Sequence, residues 1–222
     1  MDLSEYAGKK FIASFSGGKD STLSIHRAIT GGMIPLGLIT TWNTDMGRSW
    51  FHGLPDTVLE SLSTAWGIPV ALIRTTGPAY EENFERHLRK ARMQGADICV
   101  FGDIDLEPHR QWCTARCESA GLEACFPLWQ ENRKALVHEF LDEGYRALIT
   151  VVDTSRMGAS FLGKELNRQE VEGIEACGAD ACGENGEYHT FVFAGPLMSE
   201  PVHFHVGTVI HQDQYAIMPV IS

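Results

Sequence analysis

The sequence predicts an α/β protein, a mostly parallel sheet with helices on both faces, followed by a second, smaller α+β part. Three observations predict it. Apolar runs at 10–15, 35–41, 69–74 and 97–101 are separated by helix-spaced or charged segments, the alternation that parallel sheets require. The first run passes directly into Ser16-Gly17-Gly18-Lys19-Asp20-Ser21, where two glycines break the strand and Asp20-Ser21 can open a helix by capping its exposed N–H groups. After Asp103 the rhythm lapses, and runs at 188–194, 202–210 and 215–221 read as short strands of a small antiparallel element.

Taken in order, residues 21–30 place Leu23, Ile25, Ala28 and Ile29 at spacings that suit a sheet-covering helix. Residues 80–94 are charged but carry Phe84, Leu88 and Ala91 along one side. A helix is expected over 112–120, Pro127-Leu128-Trp129 interrupts, helical spacing resumes at 132–143, and an apolar run follows at 147–152. A boundary near Pro127 gives a first domain of residues 1–126 and a smaller one of 127–222. No internal repeat is visible.

A chain of 222 residues that is 44% hydrophobic has ample core for this plan. No segment approaches ~18 uninterrupted apolar residues, and the first ten residues are polar, with the acidic Asp2 and Glu5 ahead of Lys9 and Lys10, so neither a membrane span nor a signal peptide is expected and the chain reads as cytoplasmic. A net charge of -11 disfavours a broad surface for nucleic acid, whose affinity rests on Lys and Arg displacing counterions. A homo-oligomer is left open. The cysteines Cys99, Cys113, Cys117, Cys125, Cys177 and Cys182 read as reduced thiols, and neither 113/117 nor 177/182 has zinc-knuckle spacing.

The loop at 16–21 is built for phosphate. Its glycines let the backbone approach an anion, the helix start supplies N–H donors and a favourable dipole, and Lys19 adds charge. It is not a Walker A loop, because Ala13 stands where the first glycine is needed and Asp20 where Ser or Thr is. A plain strand-to-helix turn would need only part of this chemistry. The hexapeptide resembles the PP-loop, SGGxDS, of ATP pyrophosphatases. With Phe101-Gly102-Asp103-Ile104, Pro127-Leu128-Trp129, Gly195-Pro196-Leu197 and above all Cys182-Gly183-Glu184-Asn185-Gly186-Glu187-Tyr188-His189-Thr190, the chain resembles the diphthine-ammonia ligase family over nearly its whole length. Gly47-Arg48-Ser49-Trp50-Phe51-His52-Gly53 and the 183–187 segment look most like its short, stand-alone prokaryotic members.

That resemblance implies a Rossmann-like sheet of the adenine nucleotide alpha hydrolase type, with ATP and Mg²⁺ as cofactors. ATP would adenylate a carboxyl-type oxygen, ammonia would attack the carbon, and AMP and pyrophosphate would leave with an amide formed. In the family's named reaction the acceptor is diphthine, a modified histidine of an elongation factor. Asn185 stands where the better-defined ligases have Gly, which leaves the acceptor open.

Carried over by position, Ser16, Gly17, Gly18, Lys19, Asp20 and Ser21 would cradle the β and γ phosphates, with Asp20 also on magnesium. Ser14, Thr40, Gly102 and Asp103 complete the expected nucleotide set. Lys19, Asp20 and Glu187 are the expected catalytic residues, the first two by electrostatic stabilisation and Glu187 as a base toward ammonia. His52, Trp129, Gly183, Glu184, Asn185, Gly186, Glu187, His189 and Thr190 would meet the substrate. Each has a plainer reading: Asp103 as a helix cap, Glu184 and Glu187 as solvated turn carboxylates, His52 as a packed loop residue, Trp129 as core. His203 and His205 read as exposed strand histidines. Two other functions compete, a PP-loop tRNA-thiolating enzyme that uses the cysteines for sulfur delivery and a non-catalytic adenine-nucleotide sensor.

Overall fold

The structure, a computed structural model, describes residues 3–50 and 52–222, so Phe51 of the 47–53 stretch lies outside it. It divides into two compact units. One comprises the described residues of Met1–Ser16, Asp20–Phe51 and Ile68–Gln130, the other Gly17–Lys19, His52–Gly67 and Glu131–Ser222.

The chain runs through β1 (Lys10–Ser14), α1 (Lys19–Thr30), β2 (Ile34–Asn43), the short β3 (Arg48–Ser49), α2 (Asp56–Trp66), β4 (Val70–Thr75), α3 (Tyr80–Met93), β5 (Ile98–Val100), α4 (Glu107–Ala120) and β6 (Glu123–Cys125). In the first unit five strands pair in parallel in the order β4-β2-β1-β5-β6, and β3 adds an antiparallel step to the end of β2. The strands step outward from β1 to β2 to β4 and then return to β5, which places the switch point between β1 and β5. Right-handed crossovers set α1 on the face opposite α3 and α4.

Local chemistry explains these elements. Phe11, Ile12 and Ala13 of β1 are all buried, as a central parallel strand covered on both faces demands. Ile12, Ile39, Ile73, Cys99 and Phe101 pack with Phe84, Leu88 and Ala91 of α3 and Cys113, Cys117 and Ala120 of α4 in one core cluster. α3 carries Glu81 and Glu82 in its first turn and Lys90 and Arg92 in its last, complementing the helix dipole. α4 starts at Glu107, not at 112, because Pro108 suits a first turn, and it stops on Gly121 in the left-handed region.

The second unit adds α5 (Arg133–Asp142), β7 (Arg146–Asp153), α6 (Arg168–Ala176), β8 (Tyr188–Ala194), β9 (His205–Val206), β10 (Ile210–Gln212), β11 (Tyr215–Ile217) and β12 (Val220–Ile221). Asn132 and Asn167 cap α5 and α6 through their side-chain oxygens. β10-β11-β7-β8 form an antiparallel sheet, and β9 pairs with β12 in a second, two-stranded one. The expected antiparallel element is present, but the run at 202–210 is strand only at His205–Val206 and Ile210. The run at 215–221 is divided by Pro219, which has no N–H to extend a ladder. His203 and His205 are exposed. Among the described residues no helix is long and apolar enough to cross a membrane, and no group of three or more His, Cys, Asp or Glu is placed to hold a metal.

Candidate active site

In the first unit the chain ends of β1 and β5 meet at the switch point. Ser16 N–H donates to Ser21 Oγ at 3.3 Å and the two hydroxyls lie 3.1 Å apart, so the loop's outer residues close on themselves. Thr40 Oγ1, on β2, donates to the Phe15 carbonyl at 2.6 Å and pins the chain just past Ser14. Gly102, after β5, runs directly beneath the start of α1. A Cβ there would sit 2.8 Å from Ser21 N and 3.0 Å from the Asp20 carbonyl carbon.

Asp103 follows. Burial pushes its carboxyl above the ordinary value, His109 at 3.4 Å pulls it down, and the charge of Asp20 raises it further. Two carboxylates that feel each other at a sheet edge are a donor set suited to Mg²⁺, which is held through one or two carboxylates with phosphate oxygens completing its shell. Trp129 packs 5.9 Å from Phe126, with the Arg110 guanidinium 4.7 Å above its ring. Its indole N–H is buried without a hydrogen-bond partner among the described residues. Gln130 beside it holds a left-handed φ of 59°.

In the second unit Gly17 has φ +83°, and a Cβ would meet Leu54 Cδ1 at 2.5 Å. At Gly18 a Cβ would lie 2.4 Å from His52 Cε1, so one position needs glycine for its conformation and both need it for space. The Gly17 carbonyl accepts from Val192 N–H at 2.8 Å, while its own N–H meets no hydrogen-bond partner among the described residues. Lys19 is only 4% exposed. Its N–H donates to Thr190 Oγ1 at 3.1 Å, and its ammonium donates to the Cys182 carbonyl and lies 5.0 Å from the Tyr188 ring.

His52 donates from Nδ1 to the Thr190 carbonyl at 2.8 Å, since a carbonyl can only accept, and its ring is 4.9 Å from that of His189. Burial, then His189 and Lys19, hold His52 down at about 3, against an upward pull from the Thr190 bond. Burial and Lys19 hold His189 down at about 4. Both rings are therefore neutral at pH 7. The unfolded chain, with histidines near 6.5, binds more protons between that pH and the folded values, so stability is lost as pH falls. Thermal unfolding from pH 7.5 to 4 is expected to show the loss beginning near 6.5. It reaches at most about 1.4 kcal/mol per pH unit per histidine, less where solvent reaches the half-buried rings. His189→Asn should flatten part of the slope.

The turn from 180 to 190 is organised by Asp180, whose carboxylate accepts from Cys182 N–H at 3.2 Å and Glu184 N–H at 2.9 Å and pairs with Arg133 at 2.7 Å. Gly183 has φ +68° and no room for a Cβ, which would meet the Tyr188 carbonyl oxygen at 2.8 Å. Gly186 is left-handed and Glu184 half-buried. Glu187 is 5% exposed. It accepts from Asn185 N–H at 3.0 Å and Asn185 Nδ2 at 3.1 Å, and Arg156 Nη1 is 3.6 Å away. The unit thus gathers Gly17, Gly18, Lys19, His52, His189 and Thr190, while Glu187 is held within its own turn. Asp180, Arg156 and Arg110 were not singled out from the sequence. Only Asp180 has a local signal, an Asp two and four residues before N–H groups it can turn back to bind.

A parallel sheet with a glycine-rich strand-to-helix loop at its switch point places the chain among the doubly wound α/β proteins. The chain belongs to the diphthamide synthase family: models of the family's N-terminal and C-terminal domains match residues 9–124 and 132–214. It is similar to the diphthine–ammonia ligase of Danio rerio, 26% identical over 95% of this chain and 92% of that one. The diphthine–ammonia ligase of Bos taurus is 25% identical over 95% and 88%. Among solved structures, a predicted subunit of a tRNA methyltransferase from Methanocaldococcus jannaschii DSM is similar with TM-score 0.46 and 18% identity, covering 87% of this chain and 100% of that one.

Proposed function

We propose that the protein is an ATP-dependent, amide-forming ligase that cleaves ATP between the α and β phosphates, adenylates a carboxyl-type oxygen and passes the activated carbon to ammonia. The observation that carries this reading is the loop itself: a buried Lys19 behind two glycines where an added Cβ would press on Leu54 and His52, with the Gly17 N–H uncommitted. The nucleotide falls to the N-terminal domain, residues 1–126, and the acceptor to residues 127–222, through Trp129, the 183–187 turn, His189 and Thr190. Lys19 and the loop N–H groups offset charge on the departing pyrophosphate. Mg²⁺, held by Asp20 and Asp103, would supply further positive charge there. Glu187, fixed by Asn185 and Arg156, orients the attacking amine. The likeness to ligases named for diphthine makes an elongation factor's modified histidine the first acceptor to try.

The test is ATP turnover with Mg²⁺, ammonium and a diphthine-bearing elongation factor. AMP and pyrophosphate are expected, and ADP with phosphate would overturn the cleavage site. AMP without an amidated factor keeps the chemistry and excludes that acceptor.

The thiols weigh against sulfur delivery. Burial raises Cys99, Cys113 and Cys125, the last to about 12, which leaves almost no thiolate at neutral pH. Cys182 is buried with its Sγ on the Arg133 carbonyl, and only Cys177 is exposed. Titration of the native protein with a thiol-exchange dye should release about one equivalent quickly, and the remaining five only after unfolding. Rapid reaction of a second thiol would reopen that alternative.

A further inference from the structure

We propose that His52 and His189 form a proton-coupled part of the phosphate site, taking up a proton from solvent when a polyphosphate settles on the Gly17–Lys19 loop. The inference rests on the nucleotide reading above and adds to it one donor, on one of the two rings, that exists only when the phosphate is bound.

The geometry begins with commitment. His52 uses Nδ1 for the Thr190 carbonyl, and its Nε2 has no hydrogen-bond partner among the described residues. Neither ring nitrogen of His189 has one. The two rings lie 4.9 Å apart, and His52 lies so close on Gly18 that a Cβ there would touch its Cε1. Three uncommitted ring nitrogens therefore stand with the Gly17 N–H and the Lys19 ammonium in one unit.

Charge supplies the switch. Burial is the first cause that holds both rings neutral; beyond it, His189 on β8 and Lys19 at the start of α1 act on His52 against the Thr190 bond, and Lys19 acts on His189. Apart from the Thr190 bond, each of these disfavours an imidazolium. A bound polyphosphate reverses the sign of the local field, because its negative charge outweighs one ammonium. One ring then takes a proton on a free nitrogen and donates it back as a charge-assisted hydrogen bond to a phosphate oxygen. The mutual repulsion of the rings limits uptake to a single proton.

Calorimetric titration of the full-length protein with Mg²⁺-ATP at pH 8, where ATP is itself fully ionised, tests this in buffers of differing ionisation enthalpy. The apparent enthalpy should vary with that of the buffer at a slope approaching ~1 proton taken up per site, and affinity should rise toward tenfold per pH unit as pH falls to 7. His52→Asn keeps a donor for the Thr190 carbonyl but has no titratable nitrogen. His189→Asn removes the second ring independently. Each should lower the slope, and the double variant should bring it to zero while ATP still binds. ATP binding with zero slope in the natural sequence, or a slope unchanged in the double variant, overturns this inference and leaves the ligase reading standing. No ATP binding under any condition overturns both.

Discussion

Lys19→Ala is expected to lower the rate of AMP formation by about 10²–10³-fold, the range seen when one preorganised donor to a developing negative charge is removed. The ammonium is enclosed, 5.0 Å from the Tyr188 ring and bonded to the Cys182 carbonyl, so water cannot replace it at full strength. Lys19→Arg should not rescue. A planar guanidinium needs a wider slot than a side chain at 4% exposure has, and it cannot act as a compact point charge. The measurement is single-turnover AMP release at saturating ATP. A loss confined to KM would mean that Lys19 binds ATP and its transition state equally.

Gly102→Ala should be nearly as damaging by a different route. The added methyl would meet backbone atoms of Asp20 and Ser21, and backbone at a helix start cannot rotate aside as a flexible side chain would. Overpacking of this kind costs about 1–3 kcal/mol, which for a chain of this length lowers the melting temperature by roughly 2–4 °C per kcal/mol. Because the atoms pushed are those of the loop's last two residues, ATP affinity should fall by at least about tenfold. Unchanged affinity alongside a lowered melting temperature would show that the loop position is independent of Gly102.

Much of the first unit is legible in the sequence because its determinants are local. β1, the loop and α1 follow one another within a few residues, and each transition has its own chemistry in glycine, a capping residue or a change of apolar period. The apolar run at 147–152 shows the opposite case. It reads like any buried strand, and nothing in its residues says that β8 and β11 flank it antiparallel rather than a parallel neighbour. α2 escaped notice because Pro55 at its N-cap makes no side-chain cap, whereas α6 was missed although Asn167 with Glu170 three residues on is a helix-start signal. In the candidate site, His52 and His189 can each be marked as polar residues in odd company, but their ring contact joins positions far apart in the chain. The carboxylate of Glu187 can be marked too. That Asn185 and Arg156 both reach it depends on tertiary placement that no spacing encodes.

Cys177 closes α6 as its C-cap and is the one cysteine side chain that solvent reaches. It therefore offers a single attachment point for a fluorophore or spin label on the natural sequence, with no other thiol needing to be replaced first. A probe there would sit on an element whose N-terminus is fixed by the Asn167 cap. Changes in its signal on adding ATP would report rearrangement of the second unit as it happens, in the same molecule whose turnover is being followed.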